Sequence, residues 1–370
     1  MATPGERRRL PSASVLIAAA AASALLLVFG GGCRSHKPTK AGSPKPAKRL
    51  LAYRRVPILC YHQLADKPGL YVETPARFEQ QMAFLAQQGY QAIRVADLVA
   101  YLNGERDLPP KPVIITFDDG RRSVYTEARP ILHKHGFTAS LFLIVASVGG
   151  KDFLTWEQVR ELHAAGYEIG SHTLTHAMLT RRRQGESEGQ WRPRISEELV
   201  KSKARIEKEI GDQVIALAYP NGLYDDFAVV NSVQKAGYQA ALTIDRGPAD
   251  QRSDPLLLPR QQVIGVNSME RFRQQVAALP LHVDSVFPGP GHRVPPGGNL
   301  FTAQLRDQDV PTAALGVDID GQRQTVELGA DRQVEFRPRR LSAGGHNLRM
   351  SAKVPSGLRD RSWVFLVEGD

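Results

Sequence analysis

Two groups of side chains that bind divalent metals follow strand-like runs in this chain of 370 residues. Asp118 and Asp119 come directly after an apolar, β-branched run at residues 113–117, and His172 and His176 stand four residues apart at the end of another strand-like run. One carboxylate and two imidazoles form a ligand set that leaves coordination positions open for water and substrate. The other carboxylate is then free to act as a general base beside the metal. The pattern therefore indicates a hydrolase.

Short apolar strands alternate with helical patterns from residue 56 to about residue 279, and these elements must position the four side chains. We predict strands at residues 58–61, 92–95, 113–117, 139–144, 168–170, 215–218, 240–244 and 262–264. We predict helices at residues 75–88, 156–165, 196–210 and 225–236. Thr74 and Thr155 stand where the first two helices need an N-cap, and Gln158 completes a capping box with Thr155.

About seven βα units in succession predict an α/β fold, in which helices cover a parallel sheet. We expect a distorted (β/α) barrel, with a doubly wound sheet as the alternative. In both architectures ligands bind at the carboxyl ends of the strands. Asp118, Asp119, His172 and Asn221 all lie just after predicted strand ends.

The C-terminal part of the chain, residues 283–370, has a different pattern from the α/β part at residues 56–282. Sequence rich in Pro and Gly leads into short alternating runs at residues 300–305, 314–319, 324–328, 333–338, 346–352 and 363–367, with turn residues such as Gly344 and Gly345 between them. Short strands at this spacing, without helices, predict a small immunoglobulin-like β-sandwich. We expect it to act as a scaffold or to contact glycan, and a plain spacer domain is the alternative.

The first 32 residues have the pattern of a secretory signal. Three arginines precede an apolar run at residues 15–29, and three glycines then precede Cys33. We interpret this as a lipoprotein signal peptide with Cys33 as the lipidated residue; an uncleaved signal anchor is the alternative. Both place the rest of the chain in the cell envelope, anchored to a bacterial membrane and facing the periplasm or the exterior.

The net charge of +10 does not indicate a nucleic-acid partner. Residues 1–55 hold eleven Lys or Arg and one acidic residue, so the rest of the chain is formally neutral. The excess belongs to the signal and to a basic Pro/Lys linker at residues 33–55, a composition typical of an extended tether and suited to anionic lipid or cell-wall polymer. Cys60, in an apolar run, is expected to be a buried core residue.

Thr-Phe-Asp-Asp-Gly at residues 116–120 and His-Thr-Leu-Thr-His at residues 172–176 resemble the first two motifs of the polysaccharide deacetylases, carbohydrate esterase family 4. The resemblance implies that Asp119, His172 and His176 hold one divalent metal ion and that Asp118 is the general base. Zinc is our first choice of metal, although cobalt, nickel and iron also accept this ligand set.

Residues 218–222 occupy the place of the family's third motif, Arg-x-Pro-Tyr. The proline is present, but Ala218 replaces the arginine and Asn221 replaces the tyrosine. The resemblance implies that the backbone N–H of Asn221 stabilises the oxyanion, since a backbone donor needs no particular side chain. Arg260 is our candidate for the missing arginine that orients the base; an unrelated ion pair is the alternative.

An early histidine, His62, follows the first predicted strand, and we find none between Arg260 and about residue 279, where the family carries its general acid. This arrangement resembles the branch that deacetylates poly-β-1,6-N-acetylglucosamine, which implies that His62 is the acid. Asp245 is a candidate to orient it. Trp191, in a polar insertion at residues 180–194, is a candidate to stack on a sugar ring, with a mobile surface loop as the alternative.

These observations predict a monomeric, metal-dependent hydrolase that removes N-acetyl groups from an envelope polysaccharide. Poly-β-1,6-N-acetylglucosamine is the favoured substrate. The alternatives with the same chemistry are peptidoglycan or chitin-oligomer deacetylation and O-deacetylation. The alternative of another class is a catalytically weak glycan-binding lipoprotein, suggested by the altered third motif and the β-rich tail.

Overall fold

The computed structural model describes residues 51–225, 228–297, 299–329 and 331–368, which belong to one compact unit, Lys48–Asp370. The predicted signal, Cys33 and most of the predicted linker lie outside these residues, so those predictions stand untested. Within the described ranges no helix has the length and apolar character needed to cross a membrane. The last residues of the predicted linker are part of the folded body: Arg54 donates to the carbonyls of Leu108 and Pro109, and Arg55 to those of Val276 and Ala278.

Strands and helices alternate through the first part of the chain. The strands are β1 (Ile58–Tyr61), β2 (Gln63–Leu64), β3 (Val72–Glu73), β4 (Gln91–Ala92), β5 (Pro112–Phe117), β6 (Ser140–Leu143), β7 (Glu168–Ser171), β8 (Ala216–Ala218), β9 (Ala240–Leu242) and β10 (Gln261–Gln262). The helices are α1 (Pro75–Gln87), α2 (Val95–Leu102), α3 (Arg129–Lys134), α4 (Trp156–Ala164), α5 (Glu188–Ile210), α6 (Val229–Lys235) and α7 (Met269–Ala277).

Eight of these strands form a parallel sheet in the order β10-β1-β5-β6-β7-β8-β9, with β4 beside the start of β5. Every residue of β5 is buried, as is typical of a parallel strand covered on both faces. The sheet curls into a half-barrel, and one parallel bridge, between Leu242 and Leu258, joins β9 to the segment just before β10. The prediction of an α/β fold with a parallel sheet is confirmed.

Local capping explains where the predicted helices begin. Thr74 accepts from the N–H of Arg77 at the start of α1, and Thr155 and Gln158 form the predicted capping box of α4. The prediction for α5 was wrong by eight residues, because Ser187 and Gln190 form a capping box that begins the helix at Glu188. Pro193 is the sixth residue of this helix, where it lacks the N–H that would otherwise bond to the carbonyl four residues earlier. The four predicted helices do not include α2, α3 or α7.

The C-terminal part is built of strands in two sheets. They are β11 (Leu279–Pro280), β12 (Val283–Phe287), β13 (Arg293–Val294), β14 (Phe301–Leu305), β15 (Leu315–Ile319), β16 (Gln322–Arg323), β17 (Glu327–Leu328), β18 (Gln333–Phe336), β19 (Gly344–Val354) and β20 (Gly357–Val367). One sheet has the order β11-β20-β19-β15-β16, with β13 also beside β20, and the other has the order β12-β14-β18-β17. Buried side chains of both sheets form one core, from Leu281 to Val367.

A β-rich C-terminal part is therefore present, and its immunoglobulin-like topology stays a prediction. The interpretation of Gly344 and Gly345 as a turn was wrong. Both residues lie in β19 and pair with Val367 and Leu366 of β20, because the hairpin closes later, after Val354.

Side chains and backbone join the two parts. Ser362 of β20 and Arg246, which follows β9, bond to each other through the N–H of each residue. The His282 ring lies between Asp250 and Asp307, at 2.7 and 2.8 Å. These contacts place the β-rich part directly against the loops that follow the parallel strands.

Candidate metal centre and active site

The carboxyl ends of β5 and β7 bring together Asp119, His172 and His176, whose ligand atoms all lie within 4.8 Å of one another. The Nε2 atom of His172 is 3.8 Å from Oδ1 of Asp119. Two ligand atoms on one divalent ion with bonds of about 2.0–2.2 Å lie at most about 4.4 Å apart, so the cluster is close to the spacing that such an ion requires. The donor set, one carboxylate and two imidazoles, fits such an ion.

His172 is oriented for this role by a backbone carbonyl. Its Nδ1 lies 2.8 Å from the carbonyl oxygen of Ala218, at the end of β8. A carbonyl oxygen only accepts, so the proton sits on Nδ1 and the lone pair of Nε2 faces the ligand cluster. The strands β5, β7 and β8 of one sheet thus each contribute one part of the centre.

The backbone at the site has a left-handed conformation, with positive φ, that residues other than glycine rarely adopt. Asp119, Thr173, His176 and Asn221 have φ values of 70°, 66°, 62° and 56°. Each such residue costs on the order of 1–3 kcal/mol, and such strain is concentrated at functional sites. Local bonds sustain it, as when the N–H of His176 donates to Oγ1 of Thr173 at 3.0 Å. The sequence gives no direct sign of this feature.

Two glycines allow the loops to approach the strands closely. A Cβ atom on Gly120, which has a φ of 76°, would lie 2.9 Å from Cδ2 of Leu143. A Cβ atom on Gly222, with a φ of 66°, would lie 2.2 Å from Cγ1 of Ile244. Only glycine fits at these positions, which fix the turns after Asp119 and Asn221.

Asp118 forms a bidentate pair with Arg260, the residue named from the sequence as a candidate to orient the base. The two terminal nitrogens of Arg260 donate to Oδ1 and Oδ2 of Asp118 at 2.7 and 2.8 Å, while Nε donates to the carbonyl of Thr243 at 2.7 Å. Both side chains are buried. Burial alone would raise the pKa of Asp118, but the Arg260 guanidinium and His172 hold that pKa well below its usual range. The carboxylate is therefore ionised.

Cys60 also contacts this carboxylate, a role that sequence reasoning missed. The residue is buried in β1 as predicted, and its Sγ lies 3.6 Å from Oδ2 of Asp118. Burial raises the pKa of the Cys60 thiol, so it stays protonated and donates to the carboxylate.

His62 lies in the same pocket, next to β1. One ligand atom each of Cys60, His62 and Asp118 all lie within 4.8 Å of one another. Burial lowers the pKa of His62, against the opposing effect of the carboxylates of Asp118 and Asp119. The imidazole therefore favours its neutral form and can accept a proton from its surroundings.

The pocket around these groups has a volume of about 220 Å³. It is lined by His62, Gln63, Tyr71, Asp118, Asp119, Arg121, His172, His176, Tyr219, Asn221, Gly222, Ile244 and Gln262. Every predicted metal ligand, the predicted base, His62 and Asn221 are therefore part of one cavity, with Arg260 directly behind it.

Comparison with known proteins agrees with this geometry. The family model for polysaccharide deacetylases matches residues 105–256. The Bacillus subtilis (strain 168) protein YxkH, whose name provisionally assigns it to the polysaccharide deacetylases, is 32% identical over 219 residues, which are 59% of this chain and 72% of that protein. The chain belongs to the polysaccharide deacetylase family.

The deacetylase is similar to two further proteins. The poly-β-1,6-N-acetyl-D-glucosamine N-deacetylase of Escherichia coli O157:H7 is 26% identical over 295 residues, which are 67% of this chain and 43% of that protein, so the chain spans less than half of that relative. The Streptococcus pyogenes deacetylase PplD, solved in complex with acetate, matches with a TM-score of 0.55 at 25% identity over 61% of this chain and 99% of that one. The chain is thus an N-deacetylase, a hydrolase of carbon–nitrogen bonds. Deacetylases of this family use a divalent metal, and the cluster of Asp119, His172 and His176 offers its ligands.

The prediction that Asp245 orients His62 was wrong. Oδ2 of Asp245 accepts from the hydroxyl of Tyr224 at 2.6 Å, and Oδ1 has no hydrogen-bond partner within the described part of the deacetylase. The side chain faces a cavity at the junction with the β-rich part, lined also by His282 and Arg361, instead of the catalytic pocket. Burial raises the pKa of Asp245 to about 7.

The Asp245→Asn variant of the deacetylase is expected to gain stability relative to wild type as the pH rises. Between the unfolded pKa of about 3.9 and the folded pKa of about 7, the folded state binds more protons, so wild-type stability falls with pH in that window. The free energy of unfolding of the variant minus that of wild type is expected to be about 2–3 kcal/mol larger at pH 8 than at pH 5. Urea unfolding at both pH values measures it, with the exposed Asp284→Asn as control. An equal difference in unfolding free energy between variant and wild type at both pH values would contradict the prediction.

The prediction that Trp191 stacks on substrate was wrong as well. The residue is only 6% exposed, and its Nε1 donates to the carbonyl of Leu179 at 2.9 Å. The cause is the early start of α5, which places Trp191 in the core. The aromatic residue at the rim of the deacetylase pocket is Tyr71, which is 50% exposed and lies 4.8 Å from the His62 ring between centroids. The only sign of it in the sequence is an aromatic residue shortly after Pro68 and Gly69, where a turn is expected.

Proposed function

We propose that this deacetylase removes N-acetyl groups from poly-β-1,6-N-acetylglucosamine in a metal-dependent reaction. The observation that carries the proposal is the buried Asp118–Arg260 pair beside the cluster of Asp119, His172 and His176. The position of His62 in the same cavity, next to the first strand, supports the choice of branch. The name of the Escherichia coli relative supports the choice of substrate.

In the proposed reaction Asp118 takes a proton from the water that attacks the acetyl carbonyl. A divalent ion, zinc in our proposal, supplies two effects when bound: it lowers the pKa of a water and it polarises the carbonyl. Arg260 keeps the Asp118 carboxylate ionised and aimed into the pocket. The proton that Asp118 takes up then moves to a nearby base.

Asn221 and His62 act on the carbonyl oxygen during the attack and on the leaving nitrogen during bond cleavage. The backbone N–H of Asn221, at a loop end fixed by Gly222, donates to the oxygen that becomes negative during the attack. His62 accepts the proton that Asp118 releases, since their ligand atoms lie within 4.8 Å. It then protonates the leaving nitrogen, so that acetate and a free amine result.

We also propose that the deacetylase acts in the cell envelope, anchored through Cys33. The order of basic, apolar and small residues before Cys33 is the support for this location. Metabolic labelling of the protein with a fatty acid analogue tests it: wild type is expected to incorporate the label and Cys33→Ser is not. Equal labelling of both would contradict the anchor.

Acetate release from oligomers of N-acetylglucosamine tests the function. We expect release from β-1,6-linked oligomers, loss of release with a chelator, and recovery when zinc is added. Preference for β-1,4-linked oligomers would replace the proposed substrate with chitin or peptidoglycan strands and leave the mechanism standing. Tight glycan binding without release by metal-loaded protein would favour the glycan-binding alternative.

Tyr71 is expected to contribute to substrate binding. Its half-exposed ring at the rim of the pocket offers a face for a sugar, and loss of such a contact costs about 0.5–1.5 kcal/mol. Tyr71→Ala is therefore expected to raise KM severalfold with little change in kcat, whereas Tyr71→Phe keeps the wild-type KM. Steady-state kinetics on the oligomers measure both. An unchanged KM in Tyr71→Ala would remove Tyr71 from the substrate site.

A further inference from the structure

Arg293 reaches from the β-rich C-terminal part to two loops of the α/β part. It lies in β13, which pairs with β20. One terminal nitrogen of its guanidinium, Nη2, lies 3.1 Å from the carbonyl oxygen of Thr180 and 2.9 Å from Oδ2 of Asp225. A single donor group therefore joins two segments that are separate in the sequence.

Both segments lead directly from residues of the active site. Thr180 follows the metal-ligand candidate His176 by four residues, and Asp225 follows the oxyanion donor Asn221 by the same interval. Asp225 is buried, and its other oxygen accepts from the N–H groups of Ala228 and Val229 at 2.7 and 2.9 Å. The carboxylate thus connects Arg293 to the start of α6.

The loop of His176 is held from other directions by α5. Glu198 accepts from the N–H and the hydroxyl of Thr175 at 2.8 and 2.6 Å. Trp191 donates to the carbonyl of Leu179, the residue before Thr180, and its ring centroid lies 5.9 Å from the Arg293 guanidinium. Consecutive carbonyls of this loop are therefore each fixed by a side chain of a different element.

We propose that Arg293 is a positioning residue that fixes the loops of His176 and Asn221 relative to each other. The β-rich part is then a component of the active site and not a spacer. The strained backbone at His176 and Asn221 makes such support necessary, because a loop with positive φ relaxes when its bonds are lost. This inference rests on the proposed roles of His176 and Asn221.

Metal affinity and kinetics of the full-length protein test the role of Arg293. Residues that orient metal ligands typically contribute about 10–100-fold to metal affinity or activity. Because Arg293 is partly exposed, we expect Arg293→Ala to lose about tenfold in zinc affinity, measured by competition with a chelating dye, and about tenfold in kcat, with an unchanged KM. Arg306→Ala, which removes an exposed ion pair with Asp284 in the same part of the chain, is the matched control and should keep both values.

Two more variants separate positioning from general stability. Arg293→Lys keeps the charge and one donor, so it should recover part of the zinc affinity, and Asp225→Asn should weaken zinc binding in the same direction. A lower melting temperature of Arg293→Ala with wild-type zinc affinity and kcat would overturn the proposal. The zinc measurement remains decisive even if the wild-type protein releases no acetate from β-1,6-linked oligomers, so failure of the proposed substrate is distinguished from failure of this inference.

Discussion

Replacement of Asp118 by asparagine is expected to reduce kcat for acetate release by about 10²–10⁴-fold. The amide keeps the shape of the carboxylate but cannot take a proton from water. The three candidate metal ligands, Asp119, His172 and His176, are unchanged, so zinc affinity should remain near the wild-type value. Kinetics and zinc competition on the same preparation measure both effects.

Asp245→Asn is the matched control for Asp118→Asn. Asp245 is also a buried aspartate after a strand of the same sheet, but it lies outside the catalytic pocket and bonds to Tyr224. Its variant should therefore retain kcat. Activity of Asp118→Asn equal to that of Asp245→Asn would show that another group is the base. Loss of zinc from Asp118→Asn would instead place Asp118 among the metal ligands.

The central part of the site could be predicted because strand ends in a parallel sheet share one edge. Asp118 and Asp119 follow a β-branched run and His172 follows a second predicted strand, so all three were expected at the edge where ligands bind. His176 was added through its spacing from His172. The α/β fold was predicted in the same way, because capped helices and buried strands alternate with a clear period.

Asp245 and Trp191 show where prediction from sequence failed. Asp245 was assigned a role because it follows a strand, and Trp191 because it lies in a polar insertion. The direction of a side chain, however, also depends on the backbone conformation of the surrounding residues. Asp245 points to the junction with the β-rich part, and no local pattern indicates which way a chain turns at a strand end. Trp191 became a core residue because a capping box at Ser187 begins α5 eight residues early.

Contacts between residues that are far apart along the chain could not be predicted from the sequence either. Arg260 was named only as a candidate from its place near a strand, since 142 residues separate it from Asp118. The thiol of Cys60 and the guanidinium of Arg293 reach the site through pairings of β1 with β5 and of β13 with β20. Such contacts depend on the register of the sheets, which a single sequence does not determine.

Replacement of Arg260 by methionine is expected to have the largest effect on stability of any single change at the site. The substitution leaves the Asp118 carboxylate buried without its cation, and breaking a buried ion pair in this way costs about 3–5 kcal/mol. It also removes the bond from Nε to the carbonyl of Thr243. Urea unfolding measures the loss, and kcat should fall as well because the base is no longer aimed into the pocket.

A double variant tests whether the cost comes from the unpaired charge. Adding Asp118→Asn to Arg260→Met removes the charge that was left buried, so the double variant should be more stable than Arg260→Met alone by about 2 kcal/mol. Lys is not an adequate substitute at this position, because it cannot offer two parallel donors to one carboxylate. Arg260→Lys should therefore keep more stability than Arg260→Met but recover little of kcat. Equal stability of the single and double methionine variants would mean that Arg260 stabilises the protein through packing and the Thr243 contact, and that its pairing with Asp118 serves the geometry of the base alone.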